Sequence, residues 1–435
     1  MMQEIRHTKE RLTICPAVGL VSALVLTLSM APLAPTRAEG ASRPRTAVSR
    51  EHQPQRTLPV PPPTPEVKPK SLPPRTPFTA ADEESADIPG MPDARFWADS
   101  QADFNNAVPS QPGAWLILSS GGEDGAFGAG LLTGLTASGK RPDYAIVTGV
   151  STGALIAPFA FAGSRYDEAL RDAYTKVTAA DIFEVGATPE SFLDSWPLKE
   201  VIAKEVTPAL LADIAAEYRR GRRLFVITTN VDAERSVVWN MGAIAVHGGD
   251  DALELFRSVL LASSTIPGAF PPVLIAVEAN GKHFAEMHVD GGVGGPFFVA
   301  PAALLASTSD YRLPAAELHI VVNNGLRPNF QVRQRSTPII LAQAAGMMVR
   351  DDTRLMLERV YLAAKRGGIR FNVATIPQDF DKPSRGPFDP EYMKALFQTG
   401  YDLGNRATPF GTEPPPYPAP PAPRSHALEK IGANQ

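Results

Sequence analysis

Tyr144-Ala145-Ile146-Val147-Thr148-Gly149-Val150-Ser151-Thr152-Gly153-Ala154-Leu155-Ile156-Ala157 is the stretch that decides the fold. Tyr144–Val150 is a short apolar run, the pattern of a strand buried on both faces. Residues Thr152–Ala162 are largely apolar over a length that predicts a helix. Between the two stands Gly149-Val150-Ser151-Thr152-Gly153, a G-x-S-x-G. A sharp turn at such a junction lifts the serine hydroxyl out of the top of a sheet, and the flanking Gly149 and Gly153 relieve the crowding. The helix that starts at Thr152 also points its positive end at Ser151. The motif alone is common by chance, and its strand-to-helix setting is what marks Ser151 as a nucleophile.

The same alternation continues on both sides. Ala114–Ser119, Leu224–Asn230, Val237–Asn240, Val273–Val277, Glu317–Asn323 and Ile369–Thr375 read as strands. Phe127–Ser138, Leu253–Ser264, Pro338–Lys365 and Pro390–Leu403 read as helices. Strands alternating with helices predict an α/β fold, with a mostly parallel central sheet and helices on both faces. Active sites of such sheets lie at the carboxyl ends of the strands.

One strand before the elbow lies Ser119-Ser120-Gly121-Gly122-Glu123-Asp124-Gly125. A glycine-rich loop opening a helix offers bare N–H groups to an oxyanion, which makes Gly121, Gly122 and Gly125 candidate donors. The loop read alone is equally a tight turn, and its place before the elbow favours the oxyanion reading. A base is also required. Asp290-Gly291-Gly292 follows a strand-like run, His283–Val289. A carboxylate is a weak base unless it is desolvated and held against the hydroxyl. Asp-Gly is otherwise most often a plain turn.

These pieces resemble the patatin-like phospholipase family, which joins a glycine-rich loop, G-x-S-x-G and a later D-G-[GA]. Gly125-Ala126-Phe127-Gly128-Ala129-Gly130-Leu131-Leu132 resembles the run found in its bacterial branch. Ala262–Pro272 and Thr229-Asn230-Val231-Asp232 are similar to two further family segments. The resemblance spans about Leu116 to Gly292. It implies a three-layer sandwich, a Ser151–Asp290 dyad without a catalytic histidine, lipid acyl esters as substrates, and no metal or cofactor. Two departures from the family pattern, D-G-G-G-x-R-G, matter. Ser120 replaces the first glycine, and Asp124 stands where the arginine belongs. Glu123 and Asp124 are expected to point to solvent, since negative charge would oppose an oxyanion.

Two other classes fit the same residues. Ser151, Asp290 and His319 follow the chain order of an α/β-hydrolase triad, with His288 as a second candidate base. A dead hydrolase fold serving as a lipid-binding or envelope scaffold is the non-enzyme reading. Gly134–Lys140 resembles a P-loop but ends on Arg141 in place of Ser or Thr, and it lies at a helix end. His247-Gly248-Gly249 follows the serine, whereas an esterase oxyanion loop precedes it.

The flanks differ from this middle. The chain has 435 residues, 43 of them proline, and the prolines cluster towards both ends. Residues 39–110 are expected to be a Pro-rich disordered linker, 111–406 the catalytic domain, and 407–435 a Pro-rich disordered tail. Residues 1–38 read as a signal peptide or membrane anchor: Arg6, Lys9 and Arg11, an uncharged apolar run from Leu12 to Ala34, then Thr36 and Ala38 before Glu39. Export to the cell envelope or beyond is the expectation. Cys15 is the only cysteine, which excludes an intrachain disulfide and a cysteine metal site. A net charge of −4 with no concentrated basic face argues against nucleic acid as a partner, and implies no general attraction to anionic lipid. The sequence names no protein partner.

Overall fold

The computed structural model describes Leu72 and residues 74–186, 189–328, 330 and 332–417. These belong to one unit, Val67–Gln435. The expected leader, Cys15 and most of the proline-rich flanks lie outside the described residues.

Among the described residues, nine strands form the central sheet: β1 (Arg95–Trp97), β2 (Gly113–Leu118), β3 (Ile146–Val150), β4 (Arg223–Asn230), β5 (Arg235–Asn240), β6 (Val273–Ala279), β7 (Lys282–Asp290), β8 (Ala315–Val322) and β9 (Arg370–Thr375). Their main order is β1-β5-β4-β3-β2-β8-β9. The five strands from β4 to β9 along that order are parallel. The α/β expectation therefore holds, and an antiparallel wing of β1, β5, β6 and β7 extends it.

Alternation along the strands separates two cores. Leu116, Leu118 and Val147 face one helical layer, while Trp115, Ile117, Ile146 and Val150 face the other. All seven are essentially inaccessible, as strands covered on both faces require. The first layer contains α1 (Gly125–Ala137), α2 (Thr152–Ala162) and α3 (Gly249–Ser263). Residues of α4 (Thr337–Gly367) close the other face, and α5 (Pro390–Asn405) returns to pack on α1.

The domain begins earlier and ends later than composition suggests. Within the expected linker, helix Ala80–Glu84, strand β1 and helix Gln101–Ala107 are all formed. Ile88, Met91, Ala94 and Phe104 are buried in the two cores. Arg95 makes a buried two-pronged ion pair with Glu286 of β7. The boundary at 110 is thus corrected to no later than about Thr79, whose side chain and backbone cap the first of these helices. Proline content had masked a segment whose apolar residues are sparse but fully used. At the other end Gly411 exchanges backbone hydrogen bonds with Val373 of β9, so the domain continues past Arg406.

Candidate active site

The site is made where two strands meet end to end. β3 runs parallel to β4 and stops with Val150 opposite Ile227. β7 approaches along the same edge of β4 from the opposite direction and stops with Asp290 opposite Thr228. Ile227 and Thr228 are consecutive, so the carboxyl ends of β3 and β7 abut. That junction brings together Ser151 and Asp290, 139 residues apart in sequence. The Ser151 hydroxyl donates to Asp290 Oδ2 at 2.7 Å.

Ser151 sits at φ 55° and ψ −124°, a conformation that costs a non-glycine residue about 1–3 kcal/mol. The elbow geometry explains its glycines. A Cβ on Gly149 would lie 2.3 Å from the Gly153 carbonyl oxygen, and one on Gly153 would lie 2.4 Å from that of Leu118. Three neighbours hold the strained turn. Ser263 accepts from the Ser151 backbone N–H at 3.0 Å and donates to the Ile227 carbonyl at 2.7 Å. The Asp290 N–H donates to the Thr265 carbonyl at 2.9 Å. The Thr152 hydroxyl meets the Tyr174 hydroxyl at 2.5 Å. The end of α3 and the residues just after it therefore hold Ser151 and Asp290 at once. Ser263 was not singled out from sequence, although it lies within the family-like Ala262–Pro272.

Asp290 is buried, and its second oxygen, Oδ1, accepts from the Gly292 N–H at 2.7 Å. Burial raises its pKa from 3.8 to about 6, against the opposing pull of the Ser151 and Gly292 hydrogen bonds. The carboxylate is thus a stronger base than a solvated aspartate, yet still ionised at neutral pH.

In the glycine loop, Ser120 N–H is taken by the Pro296 carbonyl, and Asn323 binds the Ser119 carbonyl through its side chain. The N–H groups of Gly121 and Gly122 have no acceptor among the described residues. Gly122 takes φ 58°, which suits a residue without a Cβ. Gly125 is a correction: its N–H bonds back to the Gly122 and Glu123 carbonyls, so it is no free donor. Its lack of a Cβ serves packing, since one would lie 2.1 Å from Thr152 Oγ1. Ser120 Oγ, at the family-divergent position, is buried without a partner among the described residues.

Glu123 and Asp124 do not point freely to solvent. Glu123 accepts from the Phe388 N–H, and Asp124 accepts from the Tyr392 hydroxyl at 2.6 Å, both just before or within α5. Both are half-buried. Burial raises both pKa values, that of Asp124 to about 7, so its negative charge beside the loop is partly neutralised near neutrality.

Neither histidine approaches the serine. His288 is buried between Glu286, at 3.0 Å, and Thr228, at 2.9 Å. Burial lowers its pKa even against the Glu286 carboxylate. His319 lies in β8 opposite Leu116, which is opposite Val147. That is four residues short of Ser151, roughly 13 Å along a strand. Its ring packs edge-on to Tyr144 and Phe410, with Glu317 at 3.3 Å. The P-loop-like Gly134–Lys140 spans the end of α1 and the turn after it, and His247-Gly248-Gly249 joins two helices.

The crystal structure of VipD from Legionella pneumophila aligns with a TM-score of 0.35 and 11% identity, covering 68% of this chain and 66% of that one. The chain thus spans just under two thirds of that protein's length. No curated protein matches this chain. Residues 116–303, which carry the glycine loop, the serine elbow and the aspartate turn, match the family model Patatin-like phospholipase.

Proposed function

We propose that this protein is a serine lipid acyl hydrolase that cleaves acyl esters of lipids, phospholipids among them, with a Ser151–Asp290 dyad. The observation that carries the reading is the direct 2.7 Å hydrogen bond from a strained elbow serine to a buried carboxylate of raised pKa. Ser151 Oγ attacks the acyl carbonyl carbon while its proton passes to Asp290 Oδ2. The carbonyl oxygen becomes an oxyanion, stabilised by the Gly121 and Gly122 N–H groups. As the intermediate collapses, the alcohol leaves with the proton held by Asp290, and an acyl-Ser151 ester remains. Water then gives a proton to Asp290 and attacks that ester. The fatty acid departs and the proton returns to Ser151. Ile266 and Val293, close in sequence to Thr265 and Asp290, are exposed apolar residues suited to an acyl chain.

The triad reading loses support because His288 is held between Glu286 and Thr228, and His319 lies level with Val147, four residues short of Ser151. The dead-scaffold reading loses support because nucleophile and base are intact and in contact. Export completes the proposal, on the basic n-region and apolar run of residues 1–38. The test is covalent labelling by a fluorophosphonate together with turnover of a lipid ester panel. Wild type should label and turn over, and Ser151→Ala should do neither while keeping its circular dichroism spectrum. Normal turnover by Ser151→Ala overturns the enzyme assignment. Recovery of the chain as soluble cytoplasmic protein overturns export.

A further inference from the structure

We infer that the amino-terminal half of α4, with the arginine-bearing segment before it, is a docking element for an anionic lipid bilayer. It holds the Ser151 edge of the sheet against the membrane. The inference deepens the lipid hydrolase reading and rests on a separate set of residues.

α4 is 31 residues long, but its buried residues all lie between Thr353 and Ala364. Gly368 and Ile369 turn it directly into β9, so it runs antiparallel to the strands. Its amino end therefore points towards the strands' carboxyl ends. Side-chain bonds fix the level at which it leaves the body. Asn324 donates to Thr353 Oγ1 at 3.4 Å, and the Arg354 guanidinium donates to the Leu326 carbonyl at 2.6 Å. Asn324 and Leu326 follow directly on the carboxyl end of β8. Residues 337–350 thus overhang the edge that carries the active site, by roughly 20 Å at helical rise.

The overhang is apolar where a solvated helix would be charged. Ile340, Leu341, Met347 and Met348 are 46–73% exposed, and Ala344 and Ala345 share their face. Just upstream, Phe330 is 93% and Val332 86% exposed. Residues 326–350 contain Arg327, Arg333, Arg335 and Arg350 and not one acidic residue, in a chain of net charge −4. Arg333 and Arg335 are exposed and make no ion pair with a described residue, whereas Arg327 bonds the Gln378 side chain and Arg350 pairs with Asp351. Unpaired arginines beside large exposed apolar side chains suit an interface with anionic headgroups above and acyl chains below. A protein partner of ordinary surface would leave the arginine charge unmatched. No described helix is long and apolar enough to cross a membrane, so the element lies along the surface.

The test places an environment-sensitive fluorophore on Met348→Cys in a Cys15→Ser full-length chain, so that the probe reports locally and not on the leader. Vesicles of phosphatidylglycerol should blue-shift and brighten the probe, and pure phosphatidylcholine should act far more weakly. Arg333→Glu with Arg335→Glu should weaken the phosphatidylglycerol response at least about fivefold per arginine. Leu341→Asp should abolish it. Turnover of a short-chain soluble ester should be unchanged in these variants, which confirms folding. No probe response to anionic vesicles, or a response insensitive to Leu341→Asp, overturns the inference. So does a response that follows protein concentration without vesicles, which would assign the face to a second copy of the chain. If wild type docks but turns over no ester, docking stands and the hydrolase reading falls.

Discussion

Replacing Asp290 by asparagine should cost activity and add stability, in a pH-dependent way. The folded carboxyl titrates at about 6 and the ordinary group at 3.8, because burial disfavours the charge. A folded pKa above the unfolded one means that the native state holds the proton longer. Stability is then lost as pH rises from about 4 to 6, and the full penalty, about 3 kcal/mol, is present above that window. Asparagine has no charge to bury. Its oxygen can still accept from Gly292 N–H, and its amide can face Ser151 Oγ with the donor role reversed. Asp290→Asn should therefore be nearly as stable as wild type at about pH 4. It should be more stable by about 2–3 kcal/mol at about pH 8. Urea unfolding followed by circular dichroism at both values measures the gap. The same variant cannot take the serine proton, so turnover should fall about 100-fold or more. A stability difference that does not change with pH would refute the buried-base argument. Near-normal turnover would show that Asp290 is only a turn residue.

Wild-type turnover of a soluble ester should rise with pH through about 6 and then level, as Asp290 loses its proton, whereas a pH-independent rate between 5 and 8 contradicts the dyad. Combining Ser151→Ala with Asp290→Asn should lose no more than Ser151→Ala alone, since both residues serve one proton transfer. His319→Phe, checked for folding, should keep its chemical rate, because the ring touches Tyr144 and Phe410 and not the serine. Phe104→Ala should destabilise the domain by about 3–5 kcal/mol in urea unfolding, a loss impossible for a residue in a disordered linker.

Local patterns carried the parallel core and the elbow serine into the sequence reading. Short apolar runs such as Tyr144–Val150 announce doubly buried strands, and the glycines around Ser151 announce a turn with no room for a Cβ. Helix Thr152–Ala162 was legible to the residue. Such features depend on neighbours within a few positions, so the chain displays them without being folded. What only the tertiary structure decided is non-local. That β7 returns along the edge of β4 already used by β3, and so drives Asp290 onto Ser151, depends on a register set by distant residues. Ser263 became a site residue only because α3 ends over that junction. Gly125 lost its donor role to carbonyls of its own turn, and Glu123 and Asp124 found partners around the start of α5, more than 260 residues on. The segment 80–107 read as linker because its few apolar side chains show no period. Folding against β5 and β7 buries Arg95, packing against Phe298 buries Phe104, and burial by distant elements leaves no mark on a local pattern.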